Sequence, residues 1–227
     1  MHFEDWQGLL TRAAEILDRA GIPPEEWTFG GGTALAYWLR HRLSKDVDIF
    51  LTDAQYLLLV TPRLNTDAAQ GMVDYEESSV SVKIVFPQGD VDFIIAPRLT
   101  EEPFKPENIG GRKVLVELPV EIVLKKLFYR AEGLKVRDLV DTAAVLESTW
   151  GDELLEIGSH VLTRRIEVLE QRLKRLTTVY AAEIKELVVL KPRLSGKALS
   201  DFEAFLERLK THTIRKRPLG NSERQHG

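Results

Sequence analysis

Cysteine is absent from this chain, which rules out a disulfide framework, a thiolate metal site and a cysteine nucleophile together. Long apolar runs are missing too. No stretch approaches the ~20 residues of a membrane-spanning helix, so no membrane association is expected. The opening residues, MHFEDWQGLL, carry acids where a secretory leader has a basic segment and an apolar core; the cytosol is the default address. Strong net charge is lacking as well: at −4, the whole molecule does not advertise nucleic-acid binding. His2, His41, His160, His212 and His226 fall at no metal-ligand spacing. Neither a GxGxxG stretch nor a Walker A segment occurs, which removes dinucleotide binding and P-loop hydrolysis.

What is present reads as an ordinary globular protein, 44% hydrophobic and 29% charged over 227 residues. That length suits one compact domain with an appendage, or two small domains. Apolar spacing from Phe3 to Leu17 predicts a helix over residues 3–20, stopped by Gly21 and the Pro23-Pro24 pair. A short strand over Trp27-Thr28-Phe29 runs into Gly30-Gly31-Gly32. Helical spacing resumes from Thr33 to Arg42, with Tyr37 and Trp38 read as packing residues. Val47 to Leu51 reads as a strand, and Asp53 caps a helix that Pro62 ends. Runs from Ser79 to Phe86 and Val91 to Ile95, joined by Pro87-Gln88-Gly89-Asp90, predict a β-hairpin with Asp90 in its turn. Another strand is expected over Lys113 to Glu117, then helices from Pro119 to about Arg130 and from Val136 to Thr149.

Beyond Gly151 strand signals stop. Leu162, Ile166, Leu169, Leu173, Leu176 and Tyr180 alternate at spacings of four and three, a seam that marks a long helix packed on a partner. It continues toward Leu190 or breaks near Thr177-Thr178, Lys191-Pro192 ends it, and Leu199 to Leu209 offers a last helix. The expected organisation is therefore a mixed α/β (α+β) core over 1–150 and a helical C-terminal module over 151–227. The module carries a basic tail containing Lys191, Arg193, Lys197, Arg208, Lys210, Arg215, Lys216 and Arg217. Such a surface either attracts phosphate or is simply solvated.

The chemistry concentrates between Gly30 and Phe50. Asp46 and Asp48 stand at alternate positions of a short apolar strand and so project to one face. Two carboxylates held side by side repel unless a cation separates them, and their hard oxygens suit Mg²⁺. Gly31 and Gly32 open a helix whose bare N–H groups favour an anion such as a triphosphate. Asp92, flanked by apolar residues on a later strand, offers a third carboxylate. It suits a second ion and the acceptance of a proton from an attacking hydroxyl.

Helix-opening glycines, thirteen intervening residues, Asp46-Val47-Asp48 and a later strand aspartate resemble the polymerase-β-type nucleotidyltransferase superfamily. The finer wording is similar to the AbiEii/AbiGii-type toxins, the group that includes MenT-type enzymes. Their GGTAL…HRxSxDxDxF stretch is matched from Gly31 to Phe50, their EIxxxKL helix from Glu121 to Leu127, and their RDxxD element from Arg137 to Asp141. The resemblance implies a polymerase-β-like nucleotidyltransferase core with a mixed sheet. It implies that Gly31, Gly32 and Thr33 cradle triphosphate oxygens, Thr33 through its hydroxyl, and that Asp46, Asp48 and Asp92 hold two Mg²⁺ ions. Lys126 would pair with the β- or γ-phosphate and Asp138 would orient it, with Lys125 and Asp141 as the open alternatives. Arg42 and Ser44 would support the metal strand or touch phosphate.

The leading expectation is a toxin that transfers nucleotides from a nucleoside triphosphate to RNA, with a tRNA 3′ end as acceptor and a cognate antitoxin as partner. Two others stand beside it: the same chemistry on a small molecule or protein side chain, and a silent binding module of this fold. Three clustered carboxylates argue against the silent module, which gains nothing from like charges.

Overall fold

The computed structural model describes residues 6–215. An amphipathic helix, α1 (Gln7–Arg19), buries Leu9, Leu10, Ala13, Ile16 and Leu17. A 3₁₀ turn then leads into β1 (Trp27–Gly30), which runs directly into α2 (Gly31–Leu39). Strand β2 (Val47–Leu51) follows, and Asp53 accepts the Gln55 N–H at 2.8 Å to start the turn before α3 (Leu57–Val60). Asn65 caps α4 (Thr66–Ala69). Strands β3 (Asp74–Glu77), β4 (Ser81–Phe86) and β5 (Gly89–Ile95) form a meander. Strands β6 (Phe104–Ile109) and β7 (Arg112–Glu117) form a second hairpin.

These seven strands make one mixed sheet in the order β3-β4-β5-β2-β1-β7-β6. β2 runs parallel to β5 and β1 parallel to β7, while the other pairs are antiparallel. Five helices complete the described chain: α5 (Pro119–Tyr129), α6 (Val136–Leu146), α7 (Gly151–Val161), α8 (Ile166–Glu183) and α9 (Pro192–Arg215). The expected mixed α/β core followed by helices is what the structure shows. α9 packs on α6, α7 and α8, and α7 on α5. One apolar cluster runs from Trp6 through the sheet to Leu209.

Several elements depart from expectation for identifiable reasons. β3 and β6 escape the hydrophobic pattern because they are the two sheet edges. β3 is almost wholly solvent-facing, and β6 carries Pro106, which an edge strand tolerates. Asp90 belongs to β5 rather than to the turn. Phe86 pairs with Gly89, so the hairpin turn is only Pro87-Gln88, and the Asp90 carboxylate meets Lys83 at 2.7 Å. Leu162 closes α7 rather than opening α8, and α8 runs through Thr177-Thr178 unbroken. Pro192 does not merely end a helix; it is the first residue of α9, where its missing N–H costs nothing. The expected tail residues Lys216 and Arg217 lie outside the described residues.

Candidate active site

Asp48 projects from the half-buried face of β2, between Val47 and Ile49, which are fully buried on the other. Parallel pairing of β2 with β5 places Asp48 directly beside Asp92, on strands roughly 4.8 Å apart. Asp46 stands one step before β2. The three carboxylates line a cavity of about 310 Å³, with Gly31, Gly32, Arg42, Ser44 and Lys126 among its other walls.

Each glycine of the triplet faces a particular side chain. Gly31 has φ +68°, which favours glycine, and an added Cβ would fall 1.8 Å from Asp48 Oδ2. A Cβ on Gly30 would meet Glu117 at 2.4 Å, and one on Gly32 would meet the Arg42 guanidinium at 2.6 Å. The triplet therefore clears space for the site's own charged side chains, beside exposing N–H groups at the start of α2.

Thr33 is fully buried and outside the cavity lining; its hydroxyl donates to the Asp46 carbonyl and lies 2.9 Å from Ser44 Oγ, so it fastens the approach to β2.

Behind the cavity lies a buried charge network centred on Asp141. Arg42 donates to Asp141 through Nε and Nη2 at 2.6 and 3.0 Å, and His41 Nε2 lies 2.7 Å from Oδ1. Lys126 Nζ also donates to Asp141, and to Asp138 at 3.3 Å. Burial works against charge on Asp141. The Arg42 and Lys126 charges and the His41 and Arg42 hydrogen bonds nevertheless hold its carboxyl well below the usual range. Burial pushes His41 down, against its contact with Asp141. Lys126 thus meets both candidate aspartates. Lys125 instead pairs with Glu117 at 2.7 Å and Glu121 at 3.5 Å, and its ammonium lies 4.0 Å from the Phe50 ring centroid. Asp138 also accepts the Lys135 N–H at 2.9 Å.

The carboxylate wall is electrostatically tense. Burial raises Asp48; Lys126, Arg130 and Arg137 pull it back, and Asp46 adds to the rise. Burial first, then the neighbouring Asp48 charge, pushes Asp92 up to about 7 against the opposing charge of Lys83. Among the described residues, no side-chain hydrogen bond is among the causes that shift either group. Their hard oxygens suit a divalent cation in chemistry. Among the described residues, however, no group of three or more His, Cys, Asp or Glu side chains is arranged to hold a metal ion. Asp46 Oδ1 is engaged elsewhere, accepting the Asp90 N–H at 3.3 Å.

Sequence reasoning overlooked three cations of the cavity, Lys83, Arg130 and Lys135, and noted Arg137 only as the start of the RDxxD element. Lys83 was within reach, since a two-residue hairpin turn pairs it with Asp92. The other three sit where α5 turns into α6, and nothing in their spacing announces a cavity. Of the basic C-terminal residues, Arg193 and Lys197 pair with Glu147, and Lys210 with Glu170 and Glu207.

The chain is similar to an H. pylori protein assigned as a nucleotidyltransferase, at 18% identity and TM-score 0.48, over 92% of this chain and 97% of that one. It is also similar to the antibiotic-resistance factor ANT(2'')-Ia, at 16% identity and TM-score 0.41, over 79% of this chain and 95% of that one. A third similar structure is an antigenic nucleotidyltransferase-like protein from Paracoccidioides brasiliensis, at 16% identity and TM-score 0.39, over 87% and 93% of the two chains. Among curated proteins none matches. The family profile described as nucleotidyl transferase AbiEii toxin, type IV TA system, matches residues 15–217. The chain therefore belongs to the AbiEii family of nucleotidyl transferase toxins.

Proposed function

We propose that the protein transfers a nucleotidyl group from a nucleoside triphosphate to a hydroxyl of RNA, with a tRNA 3′ end as acceptor, and that Asp46, Asp48 and Asp92 hold Mg²⁺ for this step. The observation that carries the reading is the register pairing of Asp48 with Asp92 on the wall of a cavity that also takes in Gly31, Gly32 and Lys126. Bound there, Mg²⁺ supplies charge stabilisation at the phosphates and activation of the attacking oxygen. The chain's own groups do the rest. Asp92, beside Asp48 on the neighbouring strand, accepts the hydroxyl proton. Lys126 presents its ammonium to phosphate, positioned by the hydrogen bonds that the same Nζ donates to Asp138 and Asp141. Rotation of Asp46 away from the Asp90 N–H would complete the carboxylate set.

RNA as acceptor rests on the toxin family and on the basic residues of α9, several of which already have acidic partners. A cognate antitoxin follows from the same family description. The test is incubation with α-labelled ribonucleoside triphosphates, Mg²⁺ and total tRNA. Label should enter RNA and vanish for Asp48→Ala. Label that persists in this variant refutes the carboxylate assignment, and label found only on protein or a small hydroxylated additive moves the acceptor to another class.

A further inference from the structure

We propose that Arg137, flanked by Arg130 and Lys135, seats the terminal phosphate of the nucleotide, so that the site demands a triphosphate and grips the departing pyrophosphate. The inference rests on the nucleotidyl-transfer reading above and adds to it a residue that selects the donor.

The cavity lining brings together Asp46, Asp48 and Asp92 from the β2–β5 region, with Lys83 across from Asp92, and the cations Lys126, Arg130, Lys135 and Arg137 from α5 and the start of α6. Lys126 already meets two carboxylates, Asp138 and Asp141. Arg130 is 41% exposed and reaches Asp138 only at 3.9 Å. Arg137 is half-buried, and among the described residues no carboxylate lies within ion-pair distance of it. Elsewhere in the molecule Arg42, Arg63, Arg112 and Arg193 each have such a partner. Asp138, its sequence neighbour, spends its oxygens on Lys126 and the Lys135 N–H.

A half-buried guanidinium that acts on Asp48 without making an ion-pair contact with it loses hydration and gains little in return. Its position makes this worse, since the second residue of α6 sits among helix N–H groups that already favour negative charge. An anion entering the cavity relieves both costs. A guanidinium fork fits phosphate oxygens in paired hydrogen bonds, which a lysine cannot reproduce. During transfer, the bond from the acceptor oxygen to the α-phosphorus forms and the bond from that phosphorus to the bridging oxygen breaks. The electron pair leaves with pyrophosphate, and the acceptor proton goes to Asp92. Negative charge thus builds on the departing group, where Arg137 gains most in the transition state.

The experiment is calorimetric binding, in Mg²⁺, of inorganic tripolyphosphate, of each ribonucleoside triphosphate and of the matching monophosphates. The proteins are wild type, Arg137→Ala and Arg137→Lys, each checked for an unchanged melting curve. Arg137→Ala should weaken triphosphate and tripolyphosphate binding by roughly 10- to 100-fold, the range for losing hydrogen bonds to a charged group. Monophosphate affinity should hold, and Arg137→Lys should recover only part of the loss. If wild type binds a triphosphate and Arg137→Ala binds it equally well, the seat is wrong and nucleotidyl transfer survives. If Arg137→Ala melts early, Arg130→Ala carries the same test, with a smaller triphosphate-selective loss expected and an unchanged affinity overturning the clamp. If wild type binds no triphosphate, the functional reading fails and this inference falls with it.

Discussion

At the scale of single residues, the site opposes carboxylates that resist ionisation to one that cannot avoid it. Asp92 is pushed up to about 7 by burial and by Asp48. A carboxyl whose pKa is raised on folding costs stability increasingly as pH rises above its unfolded value, until the folded value is passed. Asp92→Asn should therefore raise the metal-free melting temperature by a few degrees at pH 8 and lose that advantage near pH 4. An equal gain at both pH values, read by calorimetry, would contradict the repulsion. Asp141 has the opposite sign. Its depressed pKa means a stabilising contribution present above the ordinary carboxylate range and lost as pH falls through its folded value. Asp141→Asn leaves Arg42 and Lys126 buried without their shared counter-charge, so urea denaturation should show a loss of about 3–5 kcal/mol. A loss under 1 kcal/mol would mean the network is looser than its distances indicate.

At the scale of elements, the site depends on how a turn, two strands and a distant connector hold one another. Asp46 and Asp48 were legible because strand alternation is local, and the glycine triplet because it breaks helix and strand alike. The pairing of β2 with β5 was not legible, since parallel register depends on tertiary packing rather than on any turn between neighbours. Nor was the roof of cations, which belongs to the loop between α5 and α6 and has no period to reveal it. The clamp on the His41–Leu43 segment is equally non-local. Leu43 N–H donates to the Val188 carbonyl and Leu190 N–H to the His41 carbonyl, at 2.9 and 2.8 Å, so the α8–α9 connector braces the residues beside Arg42. Leu190→Pro removes one of these donors while leaving every cavity side chain in place. It should lower nucleotidyl transfer several-fold more than it lowers triphosphate affinity; an unaffected rate would show that the brace is idle. Gly31→Ala is the harsher change. Its Cβ cannot coexist with the Asp48 carboxylate at φ +68°, so transfer should fall by about 100-fold or more while most of the fold persists.

At the scale of the whole molecule, the helical part and the sheet share one apolar cluster, joined where α7 meets α5 and α9 meets α6. We propose a division near residue 150 in organisation, with mutual dependence in folding. Urea unfolding followed by tryptophan fluorescence and by circular dichroism should give coincident single transitions; two separated transitions would show independent units. No helix among the described residues is long and apolar enough to cross a membrane, and the cationic α5–α6 loop contributes to the cavity lining. The most direct measurement of the central claim follows two labels at once, in the α- and γ-positions of the same triphosphate, with Mg²⁺ and RNA. The expected result is retention of the α label on the acceptor, release of the γ label as pyrophosphate, and loss of both on Asp92→Asn and Asp48→Ala. Transfer of the γ label to the acceptor, or turnover undiminished by both substitutions, would contradict it.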